Sequence, residues 1–256
     1  MFHVTRAAAV CVVRCLLLPL ASLALSPALA ATPAAASSAA APAVPDTLQQ
    51  RIAACTACHG AHGEGSPGSG FFPRLAGKPA AYLARQLADF QNGLRRYAPM
   101  EYTVRGLSPD YLTEIADYFA AQQVPYARAS LPPLPATALR RGEQIVTQGD
   151  AVRGVPACVR CHGSQLTGVQ PDIPGLVGLP YDYISAQLGA WRTHTRAALA
   201  PDCMAEVAGR LSQSDITAVS AWLSSRALPA DMHAQPAGSV QPPLRCGVLA
   251  GNGAGT

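Results

Sequence analysis

Two pentapeptides of the form Cys-x-x-Cys-His carry the most chemistry in this chain: Cys55-Thr56-Ala57-Cys58-His59 and Cys158-Val159-Arg160-Cys161-His162. Two thiols on one helical turn can each add across a haem vinyl group, and a histidine that follows at once sits under the iron as its proximal ligand. The spacing therefore predicts two covalently attached haem c groups. Cys55, Cys58, Cys158 and Cys161 hold the porphyrins, and His59 and His162 hold the metals. A single Cys-x-x-Cys also fits a thiol redox motif or half a zinc knuckle. The trailing histidine and the second full copy weigh against both. Zinc would need the two cysteine pairs side by side, yet about a hundred residues separate them.

A low-spin iron needs a sixth ligand opposite the histidine. Met100 and Met204 lie 41 and 42 residues after His59 and His162. A thioether favours reduced iron and raises the potential, an electron-transfer arrangement. Methionine more often fills a gap in a core. However, these two sit at matched positions, and the other two methionines are Met1 and Met232. His194 competes for the second iron, but it aligns near Gly93, where the first copy has no ligand type. His62 and His233 lack such partners and read as surface residues.

The elements that must position these groups come as an internal repeat. Pro73, Leu75, Gly77, Pro79, Tyr82, Gln86, Leu87 and Phe90 match Pro174, Leu176, Gly178, Pro180, Tyr183, Gln187, Leu188 and Trp191 at a displacement of 101. Met100, Leu107 and Ser108 match Met204, Leu211 and Ser212 at 104. Each copy has helical periodicity. Tyr82, Leu83, Gln86, Leu87 and Phe90 form one stripe after Pro79. Ser108-Pro109 opens a later helix with Leu112, Ile115, Ala116 and Phe119 on one face. Ser212-x-x-Asp215 opens its counterpart, with Ile216, Val219, Ser220 and Leu223 inside and Trp222 at the edge in place of Tyr118. No alternating run of strand length appears. The expected fold class is all-α: two tandem domains, each too short to bury much core alone and each wrapped around a haem.

Second-sphere roles can be read too. A ligating histidine usually donates its other ring N–H to a carbonyl, and Pro73 and Pro174 offer carbonyls without a competing N–H. Gly60 and Gly163 would allow close backbone packing on the ring. Arg95, Arg96 and Arg196 are candidates to pair with haem propionates or to lie in solvent. Tyr82 and Tyr183 are candidates to donate likewise or to pack as core aromatics.

The remaining sequence bounds the setting. The chain has 256 residues, 13% of them charged, and a formal net charge of +4. Nothing in that balance points to nucleic acid. Arg6 and Arg14, the apolar run Cys15 to Leu25 and Ala28-Leu29-Ala30 read as an export signal over 1–30, cleaved after Ala30. The protein is thus expected in the periplasm, and membrane association would follow only from an uncleaved signal. Residues 31–45 read as a flexible lead-in, 46–124 as domain 1, 125–136 as a linker, 137–228 as domain 2 and 229–256 as an irregular Pro/Gly-rich tail. Of eight cysteines, Cys11 and Cys15 leave with the signal, and Cys203 and Cys246 remain outside the haem motifs. A leftover pair in an exported protein is expected to form a disulfide, although two free thiols fit as well.

In order and in duplicate, the Cys-x-x-Cys-His-Gly start, the Pro-x-Leu-x-Gly turn, the Tyr-x-x-x-Gln-Leu-x-x-Phe/Trp helix and the late methionine resemble the di-haem cytochromes of the cytochrome c4 type, built from two class I cytochrome c domains. The resemblance covers about residues 46–226. It implies an electron carrier with His59/Met100 and His162/Met204 as axial pairs and no catalytic residue. It also implies redox partner proteins, a donor and an acceptor such as a dehydrogenase or terminal oxidase, and no small-molecule substrate. The long tail and Cys203 beside Met204 depart from that pattern, and a bridge to Cys246 would brace the methionine loop. Two other readings stand beside the free shuttle: an electron-transfer subunit of a larger oxidoreductase, and a di-haem peroxidase-like enzyme, which would need an open sixth position.

Overall fold

The helices begin where the local signals place them. In the computed structural model, which describes residues 46–127 and 133–252, the first half contains α1 (Leu48–His59), α2 (Ala80–Gln91), α3 (Ala98–Val104) and α4 (Pro109–Ala120). Thr47 caps α1 by accepting from Gln50 N, and Ser108 caps α4 by accepting from Tyr111 N, with Pro109 in the first turn. The expected signal and lead-in, the middle of the linker and the last four residues lie outside the described part. No helix among the described residues is long and apolar enough to cross a membrane.

The second half contains α5 (Ala136–Gln148), α6 (Val159–His162), α7 (Tyr181–Arg192), α8 (Cys203–Arg210) and α9 (Gln213–Ser225). Ser212 and Asp215 form a reciprocal capping box at the start of α9. The repeat is inexact. α1 runs straight into its Cys-x-x-Cys-His, whereas α5 ends at Gly149 and a loop intervenes before α6. The all-α expectation holds, with two local additions. A two-residue antiparallel pair, β1 (Gly168–Val169) with β2 (Ile173–Pro174), follows the second haem motif. Among the described residues of the tail, Gly247–Asn252 forms a 3-10 helix, so the tail is not irregular throughout.

The predicted stripes are the core. Leu112, Ile115, Ala116 and Phe119 of α4 are buried, as are Ile216, Val219, Ser220 and Leu223 of α9. Trp222 is buried rather than at the edge, because α5 packs along α9 with Gly142 against Ala218 and Trp222. Gly142 is what permits the approach: a Cβ there would lie 2.1 Å from the Ala218 carbonyl oxygen. At the end of the first half, the buried Arg74 donates to the carbonyls of Val124 and Pro125 and stacks over Tyr126, which ties the linker's start to the domain.

The halves meet through a pseudo-symmetric seam within one compact unit. Arg95 and Arg196 form an antiparallel bridge, and Arg96 N donates to Thr195 O at 2.8 Å. Arg85 of α2 adds a part-buried ion pair to Asp172 of the second half and donates to its carbonyl at 2.9 Å.

Candidate haem-binding sites

Each half builds one apolar cavity, and each cavity gathers one full set of the residues singled out by type and spacing. Cys55, Cys58, His59 and Met100 line a cavity of about 350 Å³ in the first half. Cys158, Cys161, His162 and Met204 line one of about 190 Å³ in the second. A single water needs only about 10–15 Å³ of such space, so both are on the scale of a large apolar group. His194 is exposed, with φ of +57°, and lines neither cavity. His62 and His233 are exposed as well.

The histidines are pre-oriented. Nδ1 of His59 donates to Pro73 O at 2.8 Å, and Nδ1 of His162 donates to Pro174 O at 2.8 Å. A carbonyl can only accept, so Nδ1 carries the proton and Nε2 keeps its lone pair for a metal. Burial lowers both imidazole pKa values, against the opposing pull of the proline carbonyls, which keeps the rings neutral. Gly60 and Gly163 follow at φ of +86° and +87°. Their necessity is backbone conformation: only glycine adopts this region without strain, and it turns the chain off the motif helix toward the proline loop.

Cys55, Cys158 and Cys161 are not poised as thiolates. Burial raises the pKa of Cys55 and Cys161 and pushes that of Cys158 up to about 12. Thiol redox motifs and thiolate metal sites need the opposite shift. The four thiols stay unpaired, and among the described residues no group of three or more His, Cys, Asp or Glu side chains could hold a metal ion. Paired thiols in apolar pockets, with a neutral histidine beside them, fit thioether attachment of a porphyrin.

Met100 sits in α3, part-buried against Phe90, Val104 and Leu112. Met204 is the second residue of α8, part-buried against the core of the second half. Asp202 caps α8 by accepting from Ala205 N at 2.9 Å, which fixes where Met204 emerges. The disulfide Cys203–Cys246 is present.

A polar wall is common to the two cavities. Lys78, Tyr82, Gln86, Tyr183, Gln187 and Arg196 line both. Arg95 donates to Gln86 Oε1, Tyr183 OH and Gln187 Oε1 at 3.2, 3.2 and 2.8 Å. Arg196 donates to Gln187 Oε1, Tyr82 OH and Gln86 Oε1 at 2.7, 3.3 and 2.6 Å. Arg95 also lies over Phe90 and Arg196 over Trp191. The tyrosines, the glutamines and the two arginines of this wall repeat at 101. Reading Arg95 and Arg196 as separate propionate partners misses that pairing, although the offset shared with the tyrosines carried the signal. Arg96 is exposed.

Charge balance supports the same group. The hydrogen-bond partners of both guanidiniums are neutral amides and phenols, while Asp89 is held on Gln86 Nε2 at 2.8 Å. Burial, with the Arg95 charge behind it, lowers the pKa of Arg196. Burial, with Arg74, Arg196 and Arg95 nearby, brings Lys78 down to about 8. Three crowded cations between two apolar cavities fit a ligand with an apolar body and an anionic edge, as haem has. Lys78 was missed from sequence. Its only sign there is a break in the repeat, where the second copy has Leu179.

Comparison with known proteins agrees with this geometry. The cytochrome c family model matches residues 49–120. The chain is 39% identical over 188 residues to a thiosulfate dehydrogenase electron acceptor of Thiomonas intermedia, covering 73% of this chain and 85% of that protein. It is 36% identical to cytochrome c4 of Pseudomonas aeruginosa, over 68% of this chain and 85% of that one. The solved cytochrome c4 structure of Acidithiobacillus ferrooxidans superposes with a TM-score of 0.58 at 30% identity, covering 68% of this chain and 99% of that chain. This chain belongs to the di-haem cytochromes c of the cytochrome c4 type: an electron carrier with two covalently attached haem c groups in two class I cytochrome c domains.

Proposed function

We propose that the protein carries electrons in the periplasm through two haems of matched ligation. Cys55 and Cys58 attach the first haem, and His59 and Met100 are its axial ligands. Cys158 and Cys161 attach the second, with His162 and Met204. The observation that carries this is the sorting of the two sets, one into each cavity. Each bound haem supplies a one-electron ferric/ferrous couple. The chain's own residues set its conditions. Pro73 and Pro174 hold the imidazoles in one tautomer, the methionines favour the reduced state, and the apolar walls exclude water. Lys78 and Arg196 line both cavities and Arg95 the first, and they would offer counter-charge to haem propionates there. With both axial positions filled, no site is left for substrate, and the protein acts as carrier rather than enzyme.

The likeness to an electron acceptor of thiosulfate dehydrogenase supports a dehydrogenase of that kind as the electron donor. On this reading the protein is the accepting subunit or shuttle for that enzyme, and a second redox protein takes the electrons on. The oxidised protein will have Met-to-iron charge-transfer absorption from both haems. Met100→Ala and Met204→Ala will each remove one haem's share and spare the other's. A wild-type protein without that absorption, which binds carbon monoxide or peroxide readily, would instead be a peroxidase-like enzyme.

A further inference from the structure

The C-terminal tail has no counterpart in the first half, and it is built into the second cavity. Pro242, Leu244, Cys246, Val248 and Leu249 all line that cavity. From 242 to 246 inward and outward residues alternate: Pro242, Leu244 and Cys246 are part-buried, while Pro243 and Arg245 are exposed. This is an irregular strap, bent at Pro243 and Leu244, with one apolar edge turned in. It is anchored along its length. Gln235 N donates to Gly168 O at 2.9 Å, and Gln170 N donates to Gln235 O at 2.8 Å, beside the second haem motif. Gly247 N donates to Pro201 O at 2.9 Å, and a Cβ at 247 would lie 2.3 Å from the Ala200 carbonyl oxygen, so the strap touches the loop leading into Met204. The Cys203–Cys246 disulfide then ties it to the residue just before Met204, across 43 residues of sequence. Among the described residues the first cavity takes no wall from the tail, and Phe71 at its edge is 63% exposed.

We propose that residues 242–249, anchored upstream at Gln235, are a fixed cover over the Met204 side of the second haem, which holds Met204 in its ligating position and keeps water and small competing ligands out. This rests on the assignment of Met204 as axial ligand. A thioether is a weak partner for ferric iron, so exchange is limited by how often the methionine swings away. Cys203 and Met204 open α8, and pinning Cys203 restrains that swing. The apolar strap also lowers the local polarity, which favours the reduced, less charged iron. The first haem lacks the device and serves as the internal control.

The test is cyanide binding to the oxidised holoprotein, with the two haems told apart by their paramagnetically shifted methionine methyl resonances. Three variants are compared with wild type: a truncation after Ser239, the pair Cys203→Ser with Cys246→Ser, and the pair Leu244→Ala with Leu249→Ala, which keeps the disulfide. In wild type the second haem reacts more slowly than the first. Truncation raises the second haem's rate about tenfold, equivalent to about 1.4 kcal/mol on the barrier, and leaves the first haem's rate unchanged. Its midpoint potential falls while that of the first haem holds. The serine and alanine pairs each give part of the increase, and the alanine pair carries the test if the truncated chain does not mature. A second-haem rate that changes by less than about twofold in all three variants, with both methionine resonances intact, overturns the proposal. A wild-type protein lacking the Met204 resonance overturns the ligand assignment instead, so the two failures are distinct.

Discussion

Gly142→Ala separates two effects of opposite sign. On helix propensity alone, alanine within α5 should stabilise by about 1 kcal/mol, since glycine is the costlier helical residue. Against this, the new methyl would stand 2.1 Å from the Ala218 carbonyl oxygen, 2.7 Å from its carbon and 2.8 Å from Trp222 Cβ. Two of those atoms are backbone of α9, so no rotamer change relieves the clash, and α5 must move off by about an ångström. Ile145 and Val146, at 1% and 0% exposure, then lose contact with the core they share with Ile216 and Val219. Overpacking of this kind costs up to about 3 kcal/mol, so the net expectation is a loss of about 2 kcal/mol. For a chain of this size that lowers the melting temperature by about 4–8 °C. Urea and thermal unfolding of the holoprotein measure it. Gly209→Ala in α8, where a Cβ meets nothing within 4 Å, is the control and should be neutral or slightly stabilising. If Gly142→Ala proves as stable as wild type, the close approach of α5 to α9 is wrong, and so is the account of why Trp222 is buried.

The other predictions concern charge. Burial pulls the Asp215 pKa up, but hydrogen bonds from Ser212 and Arg141 prevail and hold the carboxyl at about 2. Because the folded pKa is depressed below the unfolded value of about 3.9, its stabilisation is complete above about pH 4 and fades as pH falls toward 2. The ceiling is about 2.5 kcal/mol, discounted to about 1–2 because the partner Arg153 is half-exposed. Asp215→Asn should therefore be less stable at pH 7 and converge on wild type near pH 2, as followed by urea midpoints across pH; a constant offset would refute the linkage. Arg196 lines both cavities, and a cation there favours the reduced irons. Arg196→Leu should lower both midpoint potentials by roughly 40–90 mV, taking about 1–2 kcal/mol for one charge at an effective dielectric near 20. Arg196→Lys should restore most of the shift, and a change at one haem alone would contradict the common wall.

Much of this protein is legible in short stretches of chain. The caps at Ser108 and Ser212 and the stripes of α4 and α9 follow from local propensity and period, which act within a few residues. The proline carbonyls on His59 and His162 were readable because the repeat placed the same turn after each motif, and a ligating histidine needs an acceptor nearby. Trp222 was harder. Its burial depends on α5 lying along α9, and nothing in the spacing of α9 announces a neighbour. Lys78 and the cross-paired arginines were harder still, since their partners lie in the other half of the chain.

Sequence alone determined the chemistry: five adjacent residues, twice, specify covalent haem, and the offset between copies specifies two like domains. Those are properties of bonded neighbours, fixed before the chain folds. Tertiary structure decided how the copies differ and where they meet. It crossed Arg95 and Arg196 over the seam, left Lys78 between two apolar cavities, and laid the tail over the second cavity through Cys203–Cys246. Each of those joins residues tens to more than a hundred positions apart, and such contacts are selected by packing and charge compensation of the whole fold rather than by any local pattern.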